Sequence, residues 1–95
     1  MSDNQDAVLI GKKPTMNYVI ACLTLFNAGK QTVTVKARGF VISNAVDTVE
    51  VLQRSFIKDL EVQKITIGSQ AFKKANGIDS IVSTIDIVIS KPKKE

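Results

Sequence analysis

Two strand-patterned segments, near residues 60 to 72 and 80 to 90, flank the dipeptide Asn76-Gly77 and limit most strongly what this chain can become. Asn-Gly between alternating apolar residues is a strong short-range hairpin signal. Ile81, Ile85, Ile87 and Ile89 share one face of the second segment with Ser83, as the two-residue period of a strand requires. Twelve residues at about 3.3 Å each reach roughly 40 Å, more than a compact domain of 95 residues needs. The hairpin is therefore expected to project as an arm, with Lys73 to Asp79 at its tip. Val62 falls out of phase with Ile65 and Ile67, which predicts a bulge or a late strand start there.

Upstream, Ala7 to Ile10 reads as a short strand ended by Gly11 and the pair Lys12-Lys13. Pro14 is tolerated in a first helical turn, where its missing N–H would be unpaired anyway, so a helix should start near it. Met16, Val19, Ile20, Leu23 and Phe26 follow helical spacing, and Tyr18, Cys22 and Leu25 form a second apolar stripe. A helix apolar on two sides is covered on two sides, by its own sheet and by a second subunit. Gly29 is placed to end it. In Thr32 to Arg38, Val33, Val35 and Ala37 point one way and Thr32, Thr34, Lys36 and Arg38 the other, the mark of a half-buried strand. Gly39 breaks it; Ile42, Ala45, Val46, Val49, Leu52 and Phe56 then mark a second helix, with Ser43 as its expected cap. Glu50 and Arg54 stand at i, i+4 in the favourable order.

The order βαβαββ predicts an α/β chain of the two-layer α+β kind, a four-stranded mixed sheet covered on one face by two helices, with the long hairpin protruding. Residues 7–91 are expected to form one domain, 1–6 a disordered N-terminus and 92–95 a flexible tail.

The chain has no histidine and a single cysteine, Cys22. That removes the commonest general base and metal ligand and leaves too few thiols for a zinc site or an intrachain disulfide. The carboxylates are scattered, Asp47 and Glu50 reading as a solvated helix face, and no phosphate-cradling glycine motif occurs. Neither catalysis, a cofactor nor a metal is expected. The N-terminal residues lack the basic and apolar regions of a secretory signal, and Tyr18 to Phe26, nine residues including Thr24, is about half a membrane span. An intracellular, cytoplasmic protein without a membrane partner is expected.

The net charge is +4, and its distribution says more than its total. Ala7 to Phe40 holds Lys12, Lys13, Lys30, Lys36 and Arg38 and no acid, and residues 63 to 78 hold Lys64, Lys73 and Lys74 and no acid. Lys12-Lys13 and Lys36 with Arg38 stand at two strand-to-helix turns, where cations and open helix N-termini both favour phosphate. Each pair could equally be an ordinary solvated turn. Lys73 and Lys74, near the hairpin tip, could enter a groove or merely keep a loop soluble. Phe40 and Phe72 are the aromatics of the basic segments, which gives recognition of single strands by stacking little support. Phe56 is either core or a contact to another protein.

Val8-Leu9-Ile10-Gly11-Lys12-Lys13-Pro14, Lys36-Ala37-Arg38-Gly39, Ile42-Ser43, Ala45-Val46-Asp47-Thr48-Val49-Glu50, Gly68-Ser69-Gln70 and Val82-Ser83-Thr84-Ile85 together resemble the Alba (Sac10b) family of archaeal chromatin proteins. The likeness runs in order from about residue 8 to residue 90. It implies a homodimer, or a heterodimer with a paralogue, that binds double-stranded DNA and RNA with little sequence preference, hairpin arms along minor grooves, on the chromosome. It implies backbone contacts for Lys12, Lys13, Lys36 and Arg38, reversible acetylation of Lys12, and dimer-to-dimer contacts at Phe56, with Leu52 beside it. Asn44 stands where the family has a familiar lysine of the binding surface, and Phe40 where an arginine is common; arginines expected near Ile78 and Ile81 are absent. The resemblance also admits a dedicated RNA-binding subunit of a ribonucleoprotein, and the two-sided first helix a protein interaction module.

Overall fold

A computed structural model describes residues 6 to 92. The expectations for residues 1–6 and 92–95 lie, apart from Asp6 and Pro92, outside the described residues. The elements are β1 (Ala7–Leu9), α1 (Thr15–Asn27), β2 (Thr32–Arg38), α2 (Ile42–Val51), β3 (Glu61–Lys73) and β4 (Asp79–Ser90). The strands form one mixed sheet in the order β1-β2-β4-β3, with β1 parallel to β2 and the other neighbours antiparallel.

The alternation in β2 decides which face is inside. Val33, Val35 and Ala37 are buried, and the pairs Val33–Ile89, Val35–Ile87 and Val8–Val35 carry that apolar face across three strands. Both helices lie on it. Val19, Cys22 and Phe26 of α1 and Ala45, Thr48 and Val49 of α2 complete the core with Leu52. Thr48 is satisfied locally, its hydroxyl donating to the Asn44 carbonyl at 2.8 Å. The opposite sheet face is open.

Two local expectations are corrected. The buried face of α1 draws Val19 and Phe26 from one stripe and Cys22 from the other, while Met16 and Ile20 are exposed. Spacing left two stripes nearly equivalent, and only the position of the sheet chooses between them. Ser43 caps nothing: a 3-10 turn, Gly39–Val41, runs straight into α2, which starts at Ile42 without a side-chain cap. Gly39 makes that turn with φ 64°, a left-handed conformation glycine adopts without the penalty of a Cβ.

α2 continues into a π-helical turn, Leu52–Phe56, closed by the Ile57 N–H donating to the Leu52 carbonyl at 2.7 Å. Leu52 is fully buried by its own chain. Phe56 is 47% exposed.

The register along β4 accounts for the shape. β2 pairs with residues 84 to 90, ending at Arg38–Thr84, and from Ser83 to Asp79 the strand pairs with β3 alone. This two-stranded ribbon is the projecting arm, and the chain measures 54 × 30 × 19 Å. Its radius of gyration, 14.4 Å, exceeds the roughly 12 Å of a compact chain of this length. A shift in register between Val62 and Lys64 is the expected bulge. At the tip the Lys74 N–H donates to the Ile78 carbonyl and the Gly77 N–H to the Lys74 carbonyl, with Gly77 at φ 86°.

Candidate nucleic-acid interface

The parallel pairing of β1 and β2 sends both strands out of the sheet at the same end. The Ile10 N–H donates to the Lys36 carbonyl at 2.9 Å, so the segment Gly11–Pro14 leaves beside the segment Gly39–Val41. β4 runs antiparallel to β2, and its extension beyond Arg38 is the arm. Lys12, Lys13, Arg38, Phe40 and the arm therefore all leave from one end of the sheet, although they come from three separate parts of the chain.

The first turn is held from below. The Lys13 N–H donates to the Tyr18 hydroxyl at 3.1 Å, and a Cβ on Gly11 would stand 3.0 Å from the same oxygen. Both lysine side chains are exposed. Neither helix carries an acid in its first turn or a side-chain cap, so unpaired N–H groups add partial positive charge here.

The cations expected at the site are not equally available. Lys36 lies on the open sheet face with its ammonium 3.0 Å from Asp86 Oδ2, its neighbour in register. Lys73 lies 2.8 Å from Asp79 Oδ1 across the last ladder pair of the arm. The Arg38 Nη1 donates to Gln70 Oε1 at 3.4 Å, reaching across β4 toward the root of the arm. Lys12, Lys13, Arg38 and Lys74 have no carboxylate partner among the described residues. Asn44 is half-buried in the first turn of α2. A shallow groove of about 670 Å³ on the open face is lined by Leu9, Lys36, Arg38, Gln70, Thr84 and Asp86 and joins the first turn to the arm. Gln70 and Thr84 stand in segments that carry the family resemblance, but sequence reasoning did not single them out as site residues, because nothing local marks a neutral residue whose value lies in a neighbour on another strand.

The far end of the sheet differs. Lys30 is 3.3 Å from Asp6 there, and Asp59 and Glu61 flank the start of β3. Cys22 sits in the core between, where burial pushes its thiol up to about 12 and keeps it neutral. No helix among the described residues is long and apolar enough to cross a membrane.

A sheet end that carries three cations without carboxylate partners, and a projecting ribbon with a fourth at its tip, define a binding domain shaped for an extended polyanion. The Alba family model matches residues 6–69. The chain is 42% identical over 88 residues to the DNA/RNA-binding protein Alba of Methanocella arvoryzae, covering 93% of this chain and 92% of that one. Its fold matches Alba from Thermoplasma volcanium with TM-score 0.84 at 40% identity, over 90% of this chain and 99% of that one. It matches ALBA1 from Trypanosoma brucei with TM-score 0.75 at 28% identity, over 93% of this chain and 70% of that one. The chain belongs to the Alba family. The archaeal relative's name describes binding and no reaction, in keeping with the non-catalytic reading.

Proposed function

We propose that this protein binds double-stranded DNA and RNA with little sequence preference, as a dimer, and serves as an architectural protein of the chromosome in the cytoplasm. The observation that carries this reading is the convergence of Lys12, Lys13 and Arg38 at the end of the sheet from which the arm projects with Lys74 at its tip, all four free of carboxylate partners among the described residues. The name of the Methanocella arvoryzae relative supports it. Lysines on flexible stems neutralise phosphates without reading bases, so affinity comes from charge and is indifferent to sequence. Arg38, oriented by Gln70, marks the register between backbone and arm, and the arm lies along a minor groove with Lys74 at its tip.

A second copy of the chain would cover the helix-side face of the hairpin. There Ile65, Ile67 and Ile81 are 57%, 78% and 73% exposed, at positions that the chain's own helices leave uncovered. An isolated two-stranded ribbon is marginal in water, and a partner against that apolar face gives it the support the body lacks there. Phe56, an exposed aromatic at the end of the second helix, is available for contacts between dimers. Lys12 is the modification site in this reading; acetylation would remove one of the four cations and weaken binding modestly.

The test is affinity for a random-sequence duplex, DNA and RNA, measured by mobility shift from about 50 to 200 mM salt. Four neutralised phosphates per protomer give a slope of log affinity against log salt near −3.6 for each protomer engaged, at about 0.9 per phosphate. A salt-independent affinity would contradict the reading.

A further inference from the structure

The phosphate contacts leave one prominent residue of this end unexplained. Phe40 is fully exposed, the most solvent-accessible large apolar side chain among the described residues. It is neither core nor part of the apolar strip on the hairpin. Its position is imposed by the turn: Gly39, at φ 64°, lifts the chain off the end of β2, and a Cβ at Gly39 would stand 3.1 Å from Val82 Cγ2. Phe40 thus stands at the crest of a tight 3-10 turn braced against β4. Immediately before it comes Arg38, and Lys12 and Lys13 leave the sheet on the neighbouring strand.

A fully exposed phenyl ring is free to cover an apolar surface of a partner, and the charge around it selects which partner. The segment from Ala7 to Phe40 contains five cations and no acid, so the ring stands in a neighbourhood that attracts a polyanion. A flat apolar ring beside cations that are free to meet phosphate is the arrangement that stacks a nucleobase while charge holds the neighbouring backbone. In an intact duplex the bases are already stacked on one another and out of reach. The ring can engage only where a base is unpaired.

We propose that Phe40 stacks on an unpaired base, so that this protein favours nucleic acid helices interrupted by a bulge, loop or mismatch over perfect duplexes. This rests on the nucleic-acid reading and adds a specificity to it. The shared ligand chemistry is an unstacked base beside a paired stem, which RNA offers in bulges and DNA at mismatches and gaps.

The test uses the full chain, a perfect RNA duplex, the same duplex with a single-base bulge, and DNA counterparts with and without a one-base gap, all at one salt concentration. The parent binds the interrupted probes about tenfold more tightly than the perfect ones, the equivalent of about 1.4 kcal/mol. In Phe40→Ala that ratio falls to about one, and Phe40→Tyr restores it. The chain has no tryptophan, so Phe40→Trp supplies a single reporter whose emission is quenched by the bulged probe and not by the perfect duplex. Preference for RNA interruptions alone, or for both kinds, identifies the source and upholds the proposal. Equal binding of all probes by the parent, or a preference that survives in Phe40→Ala, overturns the stacking role and leaves the phosphate reading standing. Failure to bind any probe overturns both. A change in sedimentation of Phe40→Ala without nucleic acid would assign Phe40 to a contact between protein chains and overturn the proposal.

Discussion

The alternating isoleucines of β4 meet two fates within one strand. Ile87 and Ile89 lie where β2 and β3 flank the strand and two helices cover it, and they are buried; Ile81, on the same face, is 73% exposed. The residue type, spacing and strand are unchanged. What differs is the reach of the neighbours: β2 stops at Arg38 because Gly39 turns the chain away, and past that point the hairpin continues without support. The same pattern therefore builds a core in the body and an uncovered apolar strip in the arm. Burial of such a side chain contributes about 1.5–3 kcal/mol, which Ile87 and Ile89 supply to the fold and Ile81, left in water, does not.

The sharpest way to break this comparison is to truncate both. Ile89→Ala should cost about 3 kcal/mol in denaturant unfolding, from lost burial and the cavity left behind. Ile81→Ala should cost less than about 1 kcal/mol in dilute protein, and more at concentrations where copies associate. Equal costs at every concentration would mean that the arm is not separate from the body. Reversing the two cations of the turn between β1 and α1 tests the binding half. Lys12→Glu with Lys13→Glu should weaken duplex affinity at least tenfold for all sequences alike and flatten the salt slope by about 2, read by mobility shift.

Gly39→Ala probes the turn that ends the body. The left-handed φ and the 3.1 Å approach to Val82 should make it about 1–2 kcal/mol less stable in thermal or denaturant unfolding. The core thiol gives a pH signature. Cys22, raised by burial from 9.0 to about 12, stays protonated in the native chain while the unfolded chain ionises. The folded state's advantage is full below pH 9.0 and is lost as pH rises from there to about 12. Stability at pH 10, relative to Cys22→Ala, should be lower than at pH 8 by about 1.4 kcal/mol. Smallest is the arm's own ion pair: Lys73→Ala, removing an exposed contact to Asp79, should change stability by less than about 0.5 kcal/mol.

Much of this was legible in the residues. The strict alternation of Thr32 to Arg38 set the inner face of the sheet, Asn76-Gly77 set the hairpin, and the lost phase at Val62 marked the bulge. The illegible parts depend on contacts distant in sequence. Asp86 meets Lys36 across 50 residues, so the charge pattern could not show that one of the expected phosphate contacts is occupied. The core face of α1 depended on where the sheet lies, and the burial of Leu52 on a π-helical turn that no residue type announces. The convergence of Lys12, Arg38 and the arm on one end is a product of strand order, which brings together segments that the sequence separates by up to sixty residues.

That convergence is the central claim, and a backbone NMR titration with a short random-sequence duplex tests it most directly. Perturbed amides should cluster at residues 11–13, 38–42 and 69–83, with Gly29 to Gln31 and residues 57 to 61 at the opposite end unmoved. Perturbations centred on that opposite end, with the two turns and the arm silent, would contradict it.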